Sequence, residues 1–365
     1  VPYDDLLAQL NLIGPHFTYD MIRIDVAQFG DIGQTIYRPL DELSISPEGL
    51  SPRLIKNGYD SYSMLNGRVY ALPLDPSVQI FLYRTDLFHD AKLCRAYYER
   101  FHENLVVPTT YEQYLHAAEF FTRSCNPDSP TEYGTTMTCG SASVAASDFL
   151  PFYLSRIDRF GSTPETLRLD CPEMQAAMRQ YHALEKFSCK QNWWGDSIQK
   201  FAEGKTAMTV IYSNYAAELI NSGNSVVVGR VGAAILPGCK PLLGGGIVGI
   251  SRYSQKAEAC KQFFHWYYSA DVASLLVRLG GTSPIVDAYE DFQNYSIFPW
   301  MNTSKKSFGL GQRGVINQTP ERFSIPKYEF AVGTAIRNVV QDLMTPEDAS
   351  RMAQALYDAA DPVCR

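Results

Sequence analysis

The sequence lacks the patterns that mark membrane-spanning and nucleic-acid-binding proteins. Its 365 residues contain no run of eighteen apolar residues, so no membrane-spanning helix is predicted. Charged residues make up only 19% of the chain, and the 32 Lys and Arg are scattered and outnumbered by 39 Asp and Glu. A nucleic-acid surface needs clustered basic residues, so that class of partner is disfavoured. The 45% hydrophobic content excludes a disordered chain, and the length favours two domains.

Signatures of common enzyme and metal sites are also missing. No C-x-x-C pair and no H-E-x-x-H is present, so a metal site is not expected. The G-x-S-x-G elbow is absent, and no Gly-Lys-Ser/Thr follows the glycines at 244–246. Residues 309–314 match the dinucleotide pattern G-x-G-x-x-G but lack the strand before it and the helix after it. We therefore expect no cofactor and no catalytic residues. A glycosidase stays a less favoured alternative, because its paired carboxylates have no fixed sequence spacing.

The eight cysteines are too few and too dispersed for a disulfide scaffold in a chain of this length. Their spread predicts buried free thiols. Many free thiols fit a reducing compartment slightly better than an oxidising one. No signal peptide is visible in the sequence.

Strand and helix patterns alternate along the chain, which predicts the α/β class. Asn66-Gly67 lies between two apolar pairs and predicts a type I′ hairpin. Thr110 with Gln113 predicts a capping box at a helix start. Further helices are predicted over 3–12, 255–268, 271–279, 327–343 and 346–359, and strands over 19–24, 78–83, 207–212, 226–228, 233–236 and 247–251.

Five segments along the chain also resemble one family. They are YDMIRID at 19–25, LNGRVYALP at 65–73 followed by FLYRTDLF at 81–88, VPTTYEQY at 107–114, FAEGKTAM at 201–208, and LGGTSP at 279–284. Each is weak alone, but their order and spacing resemble the extracellular solute-binding proteins of ABC importers. That family includes carbohydrate-binding members such as maltose-binding protein.

The resemblance implies a two-lobed periplasmic-binding-protein-like fold of type II, in which each lobe is a β-sheet flanked by helices. The lobes would close on a ligand by hinge motion. The first lobe is expected to comprise 1–75 and 249–299, and the second 76–248 and 300–365. Family members usually begin with a strand, a helix and a second strand that this sequence lacks. An incomplete first lobe is therefore expected, with the chain a fragment or completed by an upstream part of its parent protein.

The function implied by the resemblance is a non-enzymatic, monomeric binding protein that delivers a sugar or polyol to an ABC permease. Its location would be extracytoplasmic, either periplasmic or lipid-anchored at the cell surface. The alternative is the cytoplasmic ligand-sensing domain of a bacterial transcriptional regulator, behind an upstream DNA-binding domain. In neither case would this segment contact nucleic acid directly. The thiols favour the regulator, whereas the motifs favour import.

Ligand-binding residues are expected in loops at the C-terminal ends of strands, where aromatic rings face sugar rings and planar polar groups meet hydroxyls. No cluster of Arg or Lys marks an anionic ligand, so a neutral one is favoured. Each candidate also has a structural interpretation as a helix cap, a turn or a core residue. The candidates are Asp25, Gln28, Asp75, Trp193, Trp194, Tyr212, Asn214, Gly245 and Ser283.

Overall fold

A computed structural model describes residues 9–10, 13–14, 16, 18–43, 49–157, 168–221, 223–313 and 324–359. Apart from residues 9 and 10, the helix predicted over 3–12 lies outside the described residues. Within them, no helix is both long enough and apolar enough to cross a membrane.

The described residues contain nine strands and a larger number of helices. The strands are β1 (Met21–Asp25), β2 (Met64–Leu65), β3 (Arg68–Val69), β4 (Ala71–Arg84), β5 (Thr135–Thr138), β6 (Ser188–Gln191), β7 (Met208–Tyr212), β8 (Val231–Ala234) and β9 (Leu243–Ile250). The helices before β7 are α1 (Phe29–Ile36), α2 (Gly58–Tyr62), α3 (Thr85–Phe88), α4 (Ala91–Phe101), α5 (Tyr111–Phe120), α6 (Ala142–Leu154), α7 (Pro172–Glu185) and α8 (Trp194–Ala202). Those after it are α9 (Glu218–Asn221), α10 (Ala257–Tyr267), α11 (Ala270–Arg278), α12 (Asp287–Glu290), α13 (Phe292–Ile297), α14 (Met301–Leu310), α15 (Ile325–Val340) and α16 (Pro346–Asp358).

Strand β4 is 14 residues long and runs through both lobes. Its first half pairs antiparallel with β9, from Ala71 opposite Gly249 to Val78 opposite Leu243. Its second half pairs antiparallel with both β7 and β8. The register shifts between Pro73 and Asp75, within the stretch where the sequence predicts the first crossing between lobes.

The first lobe contributes three described strands to this sheet, in the order β1-β9-β4. Strand β1 lies at the edge and pairs antiparallel with β9 along its whole length. The sequence predicts fewer than five strands here, and the described residues supply three. In the second lobe, β7 and β8 flank β4, while β5 and β6 form a separate parallel pair.

Two clusters of buried apolar side chains form the cores of the lobes. The first surrounds the β1-β9-β4 sheet and includes Phe29 and Tyr268. The second lies among α5, α6, α7 and α15, and includes Phe149 and Tyr181. Met301 and Phe308 of α14 join the first cluster, although the sequence assigns 300–365 to the second lobe. The exact division of the chain between lobes stays a prediction.

Local signals predict the turns and caps well. Asn66 and Gly67 have φ of 51° and 75°, as a type I′ turn requires, and they connect β2 to β3. The Thr110–Gln113 capping box is present at the start of α5. The strand predicted over 226–228 is wrong, since these residues form an irregular segment that leads into a turn. Helices α12 to α14 fall where the sequence shows few periodic signals.

The cysteines are only partly as predicted. The seven described cysteines are all outside disulfide bonds. Only Cys260 among them is buried, however, and Cys239 is exposed. The predicted free thiols are therefore present, but most of them are not fully buried.

Gly245 in β9 has a backbone conformation that only glycine adopts readily. Its φ is 85°, and a Cβ there would lie 2.1 Å from the Asp75 carbonyl oxygen. The residue therefore lets β9 pass close to β4 at the crossing.

We expect Gly245→Ala to lower the free energy of unfolding by about 1–3 kcal/mol, because the left-handed conformation and the close carbonyl both oppose a Cβ. Gly30→Ala in α1 is the matched control, since no atom lies within 4 Å of its Cβ position. The control is expected to be about 0.5–1 kcal/mol more stable than the parent chain. Thermal or urea unfolding measures both, and equal midpoints would contradict the role of Gly245.

Candidate functional site

A cleft of about 690 Å³ opens between the lobes. Nine of the sixteen lining residues end β1 or β7 or come directly after β5, β6 or β7, where binding loops are expected. The lining residues are Arg23, Asp25, Ser77, Gly140, Ser141, Val144, Ser147, Asn192, Trp193, Trp194, Tyr212, Asn214, Tyr215, Gly244, Gly245 and Arg313.

Asp25 presents a carboxylate to the cleft from the end of β1. One of its oxygens accepts a hydrogen bond from Ala27 N at 2.9 Å and caps the turn that follows. Gln28 completes the capping box, because its Oε1 accepts from Asp25 N at 3.3 Å. Burial raises the pKa of Asp25, while Arg313 and then Arg23 act to lower it. Asp25 is thus both a helix cap and a lining residue.

Arg23 and Asp75 form a two-pronged ion pair at the first-lobe side of the cleft. Arg23 Nη2 lies 2.7 Å from Asp75 Oδ2, and Nε lies 3.2 Å from Oδ1. Both side chains are a little over 40% exposed. Asp75 is not among the lining residues, and in the structure it is the ion-pair partner of the lining residue Arg23.

Four aromatic rings form the wall of the second lobe. Trp193 and Trp194 pack edge to face with centroids 4.9 Å apart. Trp194 in turn packs on Tyr212 at 5.0 Å, and Trp193 lies 6.5 Å from Tyr215. Trp193 is 36% exposed, whereas Trp194 is 6% exposed. The Nε1 of Trp194 has no hydrogen-bond partner among the described residues, an unusual state for a buried indole.

Two side-chain amides extend the polar surface beside these rings. Asn192 and Asn214 are exposed and line the cleft. Within the described residues neither side-chain amide has a hydrogen-bond partner. Each therefore offers one acceptor and two donors to a bound molecule.

Arg313 lies at the base of the cleft with its charge neutralised. Its Nη1 donates to Tyr212 Oη at 2.8 Å and to the Leu243 carbonyl at 3.0 Å. Its Nη2 lies 2.9 Å from Glu329 Oε1, and both side chains of this ion pair are at most 5% exposed. Burial raises the pKa of Tyr212 to about 12, so its hydroxyl keeps its proton at neutral pH.

Of the nine predicted site residues, six line the cleft: Asp25, Trp193, Trp194, Tyr212, Asn214 and Gly245. Gln28 and Asp75 lie behind the lining as partners of Asp25 and Arg23. Ser283 is fully buried elsewhere in the first lobe, where its hydroxyl accepts from Ile285 N at 3.1 Å. The structure does not bring Ser283 to the cleft, and ligand contact by the other residues stays a prediction.

The remaining lining residues were not among the predicted site residues. Asn192 precedes the predicted tryptophans directly, so the end of β6 was a usable signal. Gly140 and Ser141 follow β5, a strand that was not predicted from the sequence. Arg313 carries no local signal, because its partners lie in distant parts of the chain. Within the part of the chain that the structure describes, no group of three His, Cys, Asp or Glu is placed to hold a metal ion.

Comparison with protein-family profiles identifies the family to which this chain belongs. The profile described as bacterial extracellular solute-binding protein matches residues 3–300. The chain belongs to this family. Solved structures similar to this solute-binding protein match nearly the whole chain. Their sequence identities are low, so the similarity establishes the fold and not the ligand.

Three ligand-bound structures are examples of this similarity. An ABC transporter solute-binding protein from Agrobacterium radiobacter K84, in complex with ribitol, is 21% identical, with a TM-score of 0.80 over 97% of this chain and 88% of that chain. One from Agrobacterium vitis S4, with bound D-mannitol, is 19% identical, with a TM-score of 0.76 over 97% and 88%. A maltose-bound protein of T. maritima is 20% identical, with a TM-score of 0.73 over 96% and 87%. The predicted fold class is confirmed.

Behind the cleft, the solute-binding protein buries a further carboxyl group, that of Asp148. Asp148 on α6 accepts hydrogen bonds from Tyr181 Oη at 2.7 Å and from Thr138 N at 3.2 Å. Burial raises the pKa of Asp148 to about 7, although both hydrogen bonds act to lower it. Asp148 thereby ties α6, which carries the lining residues Val144 and Ser147, to the end of β5.

We expect Asp148 to make stability depend on pH. The unfolded chain loses this proton near pH 3.8 and the folded protein near pH 7, so the free energy of unfolding should fall as pH rises between these values. The fall is up to about 4 kcal/mol, since each pKa unit corresponds to about 1.4 kcal/mol. Urea unfolding from pH 4.5 to 8 should show a flatter profile for Asp148→Asn. Asp128→Asn, on an exposed loop, should keep the parent slope, and the same slope in Asp148→Asn would contradict the assignment.

Proposed function

We propose that this protein binds a neutral sugar or polyol in the cleft and delivers it, chemically unchanged, to an ABC permease outside the cytoplasm. The observation that carries the proposal is the partly exposed Trp193 in one lining with the amides of Asn192 and Asn214 and the carboxylate of Asp25. Sugars and polyols combine apolar C–H faces with dense hydroxyls, and these groups complement both.

The charge balance of the cleft supports a neutral ligand. Arg23 is paired with Asp75, and Arg313 is paired with Glu329. The lining carboxylate Asp25 adds a further negative charge. Since both cations already have carboxylate partners, an anionic ligand would have to compete with them.

The cleft also supports binding without chemical conversion. Asp25 is the one carboxylate among the described lining residues, whereas glycoside hydrolysis ordinarily uses a pair. The ribitol, D-mannitol and maltose in the similar structures fit a hydroxyl-rich ligand here too. We propose that the protein acts as a monomer, with the permease as its partner.

A thermal-shift screen tests the ligand class. Ribitol, mannitol, maltose and other neutral sugars should raise the unfolding midpoint in a concentration-dependent way, because they bind only the folded state. Amino acids and short peptides are the comparison set. A shift from an amino acid or peptide, with none from any sugar or polyol, would contradict the proposal.

We expect Trp193→Ala to weaken binding of the best ligand by about 1–2 kcal/mol, roughly 5- to 30-fold, because the exposed ring face is lost. Isothermal titration calorimetry measures this loss. Trp266→Ala is the matched control, since Trp266 is 58% exposed on α10 and does not line the cleft. Equal loss in both variants would show that Trp193 is not a binding surface.

We expect Asp25→Asn to weaken binding by about 1–1.5 kcal/mol, because a hydrogen bond to a charged acceptor becomes a neutral one. Asn caps helices about as well as Asp, so the turn after β1 should survive. Asp90→Asn makes the same change at a cap outside the cleft, where Asp90 accepts from Lys92 N and Leu93 N. Unchanged affinity in Asp25→Asn would remove Asp25 from the site.

A further inference from the structure

Three segments run side by side where the chain passes between the lobes. Gln79 N of β4 donates to the Leu242 carbonyl at 3.1 Å. Leu243 N donates to the Gln312 carbonyl at 3.1 Å, and Gln312 N donates to the Pro241 carbonyl at 3.0 Å. These hydrogen bonds join β4, the start of β9 and residues 312–313 into one three-stranded crossing.

The side chain of Arg313 joins this crossing to the second lobe. It donates to the Leu243 carbonyl in the crossing, to Tyr212 Oη at the end of β7, and to Glu329 on α15. A guanidinium presents its donors in a rigid plane, so the positions of these three acceptors are fixed relative to one another. Arg313 and Tyr212 also line the cleft.

Burial makes this arrangement costly to break. The Arg313 and Glu329 side chains are 5% and 2% exposed. Separating them would leave a charge without its partner in a poorly solvated place. A movement of the crossing must therefore either carry the ion pair as a unit or exchange one of the other contacts of Arg313.

A second buried side chain makes a similar link. Gln79 is fully buried; its Nε2 donates to the Ser147 carbonyl at 2.7 Å, and its Oε1 accepts from Leu242 N at 2.9 Å. Ser147 lines the cleft from α6. The crossing is thus bonded to the cleft wall at two separate points.

We propose that Arg313 is a positioning residue that couples occupation of the cleft to the relative position of the lobes. The proposal rests on the proposed function, since it takes the cleft as the ligand site. A hydroxyl-rich ligand that hydrogen-bonds to Tyr212 or Arg313 in only one lobe arrangement favours that arrangement. The same contacts set the arrangement of the lobes without ligand, because they join the crossing to the second lobe.

Single-molecule energy transfer tests the coupling directly. Fluorophores carried by non-canonical amino acids at positions 98 and 266, exposed on the second and first lobes, report the distance between them. Thiol labelling is unsuitable because of the eight cysteines. Arg313→Lys keeps the charge but loses the planar fork, so we expect a shifted or broader distance distribution without ligand. Arg278→Lys, at a surface ion pair with Asp291 on the first lobe, is the matched control.

Tyr212→Phe is the second variant, in case Arg313→Lys does not fold. It removes one acceptor of Arg313 and keeps the ring that packs on Trp194. We expect the same change in the ligand-free distances. Calorimetry with the best ligand of the thermal-shift screen should show binding about 5- to 150-fold weaker, the range typical of coupling between sites.

A purely structural role would lower the unfolding midpoint and leave the distances unchanged. Distances equal to those of the parent chain in every variant that folds would overturn the proposal. The ligand-free measurement stands even if no sugar or polyol binds the parent chain. If no sugar or polyol binds, the proposed ligand class is refuted. The ligand-free distances alone then decide the role of Arg313 at the crossing.

Discussion

The continuity of β4 is the constraint on which the rest of the structure depends. One strand pairs with β9 in the first lobe and with β7 and β8 in the second. The sheets of the two lobes therefore have β4 in common, and the C-terminal ends of β1 and β7 lie at one cleft. The register of β4 shifts between Pro73 and Asp75, and the next residue, Pro76, lies opposite the left-handed Gly245. The geometry of the cleft follows from this local irregularity in an otherwise regular pairing.

Electrostatics at the cleft follow from the cost of burying charge. Each lining arginine has a carboxylate partner, and in both cases that partner comes from outside the lining. Asp25 and the amides of Asn192 and Asn214 are among the lining polar groups that a ligand can reach. The cleft is therefore polar without a strong positive field, which differs from a site built for phosphate or carboxylate.

Much of the fold was predictable because its signals are local. The Asn66-Gly67 turn, the Thr110 cap and the helices near the C-terminal end depend on residues a few positions apart. Helices α12 to α14 were missed because their apolar residues lack a clear period; side chains of α12 and α14 pack in the first core instead. The strand predicted around Val227 failed for the opposite reason: its valines fit a strand locally, but no neighbouring strand pairs with them. Six of the predicted site residues line the cleft since loops at strand ends are recognisable in sequence.

The sequence by itself determined the α/β class, the family resemblance and the strand-end positions of Asp25 and Tyr212. Only the tertiary structure decided which side chains meet. Arg23 pairs with a carboxylate 52 positions away, and Arg313 reaches a hydroxyl 101 positions away. It also decided that Trp193 is exposed while Trp194 is buried, and that Ser283 lies away from the cleft. Turns and caps are governed by the nearest backbone atoms, whereas a binding cleft depends on how distant strands cross.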